Sequence, residues 1–160
     1  MLENEKNYFG REIILPIEVV PTSSHYNNLR KMLKQYQWTK LRKIIIPPLD
    51  NKCIICGGQS YNRQLDLHEV WEYDCNTGIQ KLIDLQGLCT SCHNVKHYYL
   101  SSMRGNYDIV SKRLKEINNF SDKELIEYEL FINNLFKKRS LIDWKLDVSL
   151  IENYDLKYKG

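Results

Sequence analysis

Two cysteine pairs constrain this chain more than any other feature: Cys53-Ile-Ile-Cys56 and Cys89-Thr-Ser-Cys92. A CxxC lets one turn present two thiolates, and four thiolates complete a tetrahedral zinc site. The 32 residues between Cys56 and Cys89 must then leave one point and return to it, which a β-hairpin does. Cys53-Ile-Ile-Cys56-Gly57-Gly58 has the form of a zinc knuckle, whose glycines let the backbone turn tightly and aim its amides at sulfur. Bound metal would contribute folding free energy on the order of 10 kcal/mol. The competing readings are four buried free thiols, which the twin spacing disfavours, and a site in which His93 or His97 replaces one cysteine.

Around that frame the local signals are clear. Residues 65–73 and 79–85 read as strands joined by the turn Asp74-Cys75-Asn76-Thr77-Gly78. A helix is expected over 90–101, carrying His93 and His97 on one face because they sit four apart. Upstream, residues 1–23 form an irregular arm cut by Pro16 and Pro21. A helix capped by Ser23 or Ser24 runs to about residue 35, with Tyr26, Leu29, Met32 and Leu33 on its inner face. A second helix covers 38–45, with Trp38, Leu41, Ile44 and Ile45 inward, and Pro47-Pro48 stops it. Downstream, a helix is expected over 107–118. Ser121-Asp122-Lys123-Glu124 is a capping box for another helix to about 138, and Trp144 to Ile151 alternates like a strand. The division expected is 1–52 as arm and basic helices, 53–102 as the metal-bearing core and 103–160 as a helical extension packed on it.

Charge is unevenly placed. Residues 1–52 hold nine Lys/Arg against five Asp/Glu, and no acidic residue falls between Val19 and Leu49. Arg30, Lys31, Lys34, Lys40, Arg42 and Lys43 occupy that interval and suit a phosphate backbone, the bland alternative being a solvated helix face. No apolar run approaches the roughly 20 residues of a membrane span, and the N-terminus lacks a signal peptide's basic start and apolar core. A cytoplasmic protein with no membrane partner is expected, and in a reducing compartment paired CxxC motifs are metal sites far more often than disulfides.

Hydrolysis of a phosphodiester requires a base to activate water and a cation to stabilise charge on phosphorus and the leaving oxygen. His68 on the first strand can serve as base near neutral pH. His93 and His97 can hold a divalent ion opposite it. Leu67-His68-Glu69-Val70-Trp71 together with Leu88-Cys89-Thr90-Ser91-Cys92-His93-Asn94-Val95-Lys96-His97 resembles the HNH endonucleases, in their branch that carries CxxC pairs. The likeness extends to Tyr26-Asn27-Asn28-Leu29-Arg30, Trp38 to Arg42, and Trp144-Lys145-Leu146-Asp147, which resemble a bacterial and phage group within that family.

The resemblance implies an α+β protein with a ββα-metal core, a four-cysteine zinc site and helices wrapped around it from both ends. It implies a metal-dependent endonuclease acting on DNA, with His68 as general base and His93, with His97, on a catalytic Mg²⁺, Mn²⁺ or other divalent ion. A homodimer would be required to cut both strands. Two positions depart from the pattern. Leu67 stands where a metal-binding Asp or His is usual, with Asp66 on the face of His68 as a substitute. Glu69 points to the other face and reaches the site only if the strand bulges. Asp84 stands where the middle Asn normally falls. These departures motivate an alternative, a catalytically inactive zinc-stabilised DNA-binding or adaptor module.

Overall fold

The computed structural model describes residues 4–60 and 63–157. The period-2 pattern either side of the Gly78 turn forms β1 (Asp66–Asp74) and β2 (Ile79–Leu88). They pair antiparallel from Asp66↔Leu88 to Asp74↔Ile79, with a β-bulge between Val70 and Trp71. In the turn the Asp74 carboxylate accepts from the Asn76 N–H at 2.9 Å and the Thr77 hydroxyl at 2.7 Å. Gly78 sits at φ +67°, where only glycine is unstrained. Of the strand expected over 144–151, only β3 (Lys145–Asp147) forms, parallel to β2, and a 3₁₀ turn over Ser149–Tyr154 follows.

α3 (Thr90–Lys96) begins two residues after β2. The helix expected to continue to 101 breaks at His97 (φ −97°, ψ 46°) and resumes as α4 (Tyr98–Ser101). A π-type turn over Ser102–Asn106, with Gly105 at φ +83°, leads into α5 (Tyr107–Asn118). The capping box acts as read: Ser121 Oγ accepts from the Glu124 N–H at 3.2 Å and Glu124 accepts from the Ser121 N–H at 2.8 Å, starting α6 (Asp122–Arg139).

The N-terminal helices differ from expectation. Instead of a helix over 24–35 there is a 3₁₀ turn at Thr22–Ser24 and one helical turn, α1 (Leu29–Met32). Glu69 of β1 fixes its start by accepting from the N–H groups of Leu29 and Arg30 at 2.9 and 2.8 Å, and extended Leu33 ends it. Tyr26, expected inward, is 81% exposed. α2 (Gln35–Ile45) begins earlier than expected, with Trp38 and Leu41 buried and Ile44 turned to solvent.

The chain is thus mixed α and β, with a three-stranded sheet and six α-helices among the described residues. One hydrophobic cluster joins the arm (Leu15, Ile17) to β2 (Leu82), α3 (Val95), α5 (Leu114) and α6 (Ile132). Polar side chains fasten the arm into that core. The buried Asn118 amide accepts from the Leu15 N–H at 2.9 Å and donates to the Leu15 carbonyl at 3.0 Å, completing backbone groups that would otherwise be stranded. The Arg139 guanidinium meets both Glu5 oxygens at 2.8 and 3.0 Å and lies 4.7 Å from the Tyr73 ring centroid. Both partners are almost fully buried. No described helix is long and apolar enough to cross a membrane.

Breaking a buried ion pair from one side leaves the other charge unpaired. Arg139→Ala is therefore expected to lower the unfolding free energy by about 3–5 kcal/mol in urea titrations. A loss under about 1 kcal/mol would show that the pair contributes no more than a surface one.

Candidate metal centres

The four thiols converge. Sγ atoms of Cys53, Cys56, Cys89 and Cys92 all lie within 4.8 Å of one another, and none forms a disulfide. Four sulfurs bound to one zinc at about 2.3 Å stand about 3.8 Å apart. Cys56 and Cys89 are separated by 3.8 Å. The donor set and the spacing fit a structural zinc.

The surroundings suit thiolate as well. The Gly58 N–H points at Cys56 Sγ at 3.3 Å, and Arg113 of α5 donates to Cys92 Sγ at 3.7 Å. The knuckle is closed by Gly57 N–H to the Cys53 carbonyl at 2.8 Å and Cys53 N–H to the Gly58 carbonyl at 3.0 Å. It is fastened to the hairpin by Ile54 N–H to the Gly87 carbonyl at 3.1 Å. A Cβ at Gly87 would stand 2.4 Å from Leu49 Cδ1, so only glycine allows that close approach. The Cys53–Cys92 hydrogen bond pushes Cys53 down to about 4 and Cys92 up, since one thiol donates to the other.

A second cluster lies further along the same elements. His68 of β1, His93 of α3 and His97 at the helix break each present a nitrogen within 4.8 Å of the others. The three rings stand together, with His68 beside the pair His93 and His97. The Nε2 atoms of His93 and His97 are 3.1 Å apart, a separation that one bound ion can bridge. The ring centroid of His68 is 5.3 Å from each of theirs. Burial first, then the neighbouring His68, pushes His97 down to about 4 and His93 in the same direction. Both rings are therefore neutral at pH 7, the form that binds metal.

Carboxylates stand behind two of the three rings. Asp66, expected to bind the ion directly, is set one step back, with Oδ2 3.2 Å from His93 Nδ1 and Oδ1 paired with Arg63. Orienting a ligand histidine through its outer nitrogen is the usual task of such a group. The second is Glu18 of the arm, which contacts His68 Nε2 and accepts from the Trp71 N–H at 3.1 Å. No local pattern marks Glu18, which lies fifty residues upstream of its partner.

The remaining expected residues separate. Glu69 is spent elsewhere: its carboxylate caps α1 and accepts the Trp71 indole N–H at 3.0 Å, so it is no catalytic partner of His68 in this arrangement. Leu67 faces the core, 6% exposed. Asp84 turns outward and accepts from the Leu85 N–H and the Gln86 amide, so it does not orient a histidine.

The six basic residues do not make one surface. Arg30, stacked 5.4 Å over Trp38, and Arg42, donating to the Leu65 carbonyl at 3.1 Å, line the cleft that holds the three histidines. Lys40 and Lys43 lie in a shallow hollow elsewhere on α2, and Lys40 pairs with Asp155 at 3.6 Å. Lys31 sits 4.7 Å over the Tyr26 ring, and Lys34 is exposed. The cleft measures about 890 Å³, and one wall is apolar, formed by Tyr99, Leu100, Met103 and Phe136. No protein-family model matches the chain, and no curated protein or solved structure matches it either.

Purified protein is expected to carry one tightly held zinc per chain by elemental analysis. Cys92→Ser should lose most of it, and a strong chelator should unfold the hairpin and helices together by circular dichroism, since binding free energy here is folding free energy. Full helicity and an unchanged melting curve after chelation would contradict a structural role for the four thiolates.

Proposed function

We propose that the chain is a metal-dependent endonuclease of the HNH type that hydrolyses phosphodiester bonds in DNA. One observation carries the reading: a hairpin followed by a helix gathers three imidazoles within 4.8 Å at the wall of a cleft edged by two arginines. That set matches the needs of the chemistry, which are a base, a cation site and cations to hold phosphate. A divalent ion held by His93 and His97 would polarise the scissile phosphate and stabilise the leaving 3′ oxygen.

The chain's own groups account for the rest. His68 takes a proton from water as the water oxygen bonds to phosphorus. The bond from phosphorus to the 3′ oxygen then breaks and that oxygen takes a proton from solvent water, leaving a 5′-phosphate and a 3′-hydroxyl. Arg30 and Arg42 hold the flanking backbone without reading sequence. A zinc held by Cys53, Cys56, Cys89 and Cys92 would keep the hairpin and helix in register. Cutting both strands would take two copies of the chain.

A second reading, a zinc-stapled DNA-binding or adaptor module without cleavage, is favoured by Leu67 and Asp84, which supply neither the ligand nor the orienting group usual at those positions. Incubation of supercoiled plasmid with wild type and His68→Ala in Mg²⁺, Mn²⁺ or Ni²⁺ separates the two. Wild type should nick or linearise the plasmid in at least one ion, while His68→Ala falls by about 100-fold or more with zinc content unchanged and a cooperative melt retained. Intact plasmid in every ion, with a salt-sensitive gel shift, would establish the binding module instead.

A further inference from the structure

We propose that Glu18 is a positioning residue that fixes the ring proton of His68 on Nε2 and so leaves Nδ1 as the basic nitrogen. The inference rests on the nuclease reading of the site but can be tested apart from it.

Both oxygens of Glu18 are committed. One contacts His68 Nε2, and the other accepts the Trp71 N–H at 3.1 Å, beside the bulge between Val70 and Trp71. A bulge leaves an extra residue outside the strand ladder, and here the Glu18 carboxylate holds the backbone there in place. The Glu18 N–H in turn donates to the Lys96 carbonyl at 3.1 Å, near the end of α3. One residue of the arm thus braces the strand that carries His68 against the helix that carries His93. The two side chains are 7% and 4% exposed, so water does not compete for the contact.

Charge decides which partner owns the proton. The Trp71 N–H donates to one Glu18 oxygen and the Lys96 ammonium lies close by, both of which favour the ionised carboxylate. An ionised carboxylate only accepts, so the shared proton belongs to Nε2, and a neutral imidazole then has its lone pair on Nδ1. His93, His97, Lys96, Glu69 and Tyr73 are other titratable groups facing this pair. When Nδ1 takes a proton from water, the imidazolium faces an anion already in place, the role a buried carboxylate plays behind a catalytic histidine. Packing alone does not call for a charge here, since a glutamine amide could also accept the Trp71 N–H.

Histidine ¹⁵N spectra of the zinc-loaded protein without added divalent ion read the tautomer directly, with no variant and no activity needed. His68 is expected as the Nε2–H form, and an Nδ1–H form would overturn the proposal. Glu18→Gln keeps the hydrogen-bonding shape and removes the charge. It should lower kcat by about 10- to 100-fold with KM and zinc content within about twofold of wild type, because the loss falls on the proton transfer. A kcat within about twofold of wild type, or a loss confined to KM, would also overturn it. Wild-type protein that cuts nothing would defeat the nuclease reading while the spectrum still decides the place of the proton.

Discussion

The four-sulfur cluster is the constraint on which everything else hangs. Its two halves sit at the two ends of the hairpin: Cys53 and Cys56 in the knuckle before β1, Cys89 and Cys92 at the start of α3. Cys89 is the residue at which that helix begins, and its carbonyl accepts from the His93 N–H at 2.9 Å. Fixing the sulfurs therefore fixes the first turn of the helix, and with it the direction in which His93 projects. A two-stranded hairpin is marginal by itself in water. Here a metal would close its open end while Gly87 lets Leu49 and the knuckle pack against its face.

The histidine cluster follows from the same frame but needs support from far along the chain. Two carboxylates do that work, Asp66 behind His93 and Glu18 behind His68. Burial lowers His93 and His97, so the rings are uncharged and available to a metal. Arg30 and Arg42 add positive charge at the cleft without filling it. Leu67 packs into the core, and the Asp84 carboxylate accepts from Leu85 and Gln86.

What could be read from the sequence was local. The CxxC pairs, the Gly78 turn, the capping box at Ser121 and the i, i+4 histidines each act within a few residues, and each is found where the pattern put it. What could not be read depends on partners distant in sequence. Glu69, expected to reach the site only through a bulge, instead caps a helix forty residues upstream. That contact also explains why the helix expected from Ser24 starts only at Leu29. The basic interval looked like one surface, but the turns of α1 and α2 send its members to different sides. Glu18 and Arg139 appeared as ordinary charged residues, and only the folded chain buries them against His68 and Glu5.

One hairpin and one helix bring together two sets of side chains that could each hold a metal ion, one of sulfur and one of imidazole. Cobalt titration of metal-free protein, refolded in its presence, tests this directly, because thiolate ligands give an intense charge-transfer absorption that imidazole ligands do not. Two bound equivalents are expected, the first with the sulfur band and the second without it, with loss of the second alone in a His93→Ala, His97→Ala double variant. Saturation at a single equivalent, or a second equivalent indifferent to removal of both histidines, would contradict that reading.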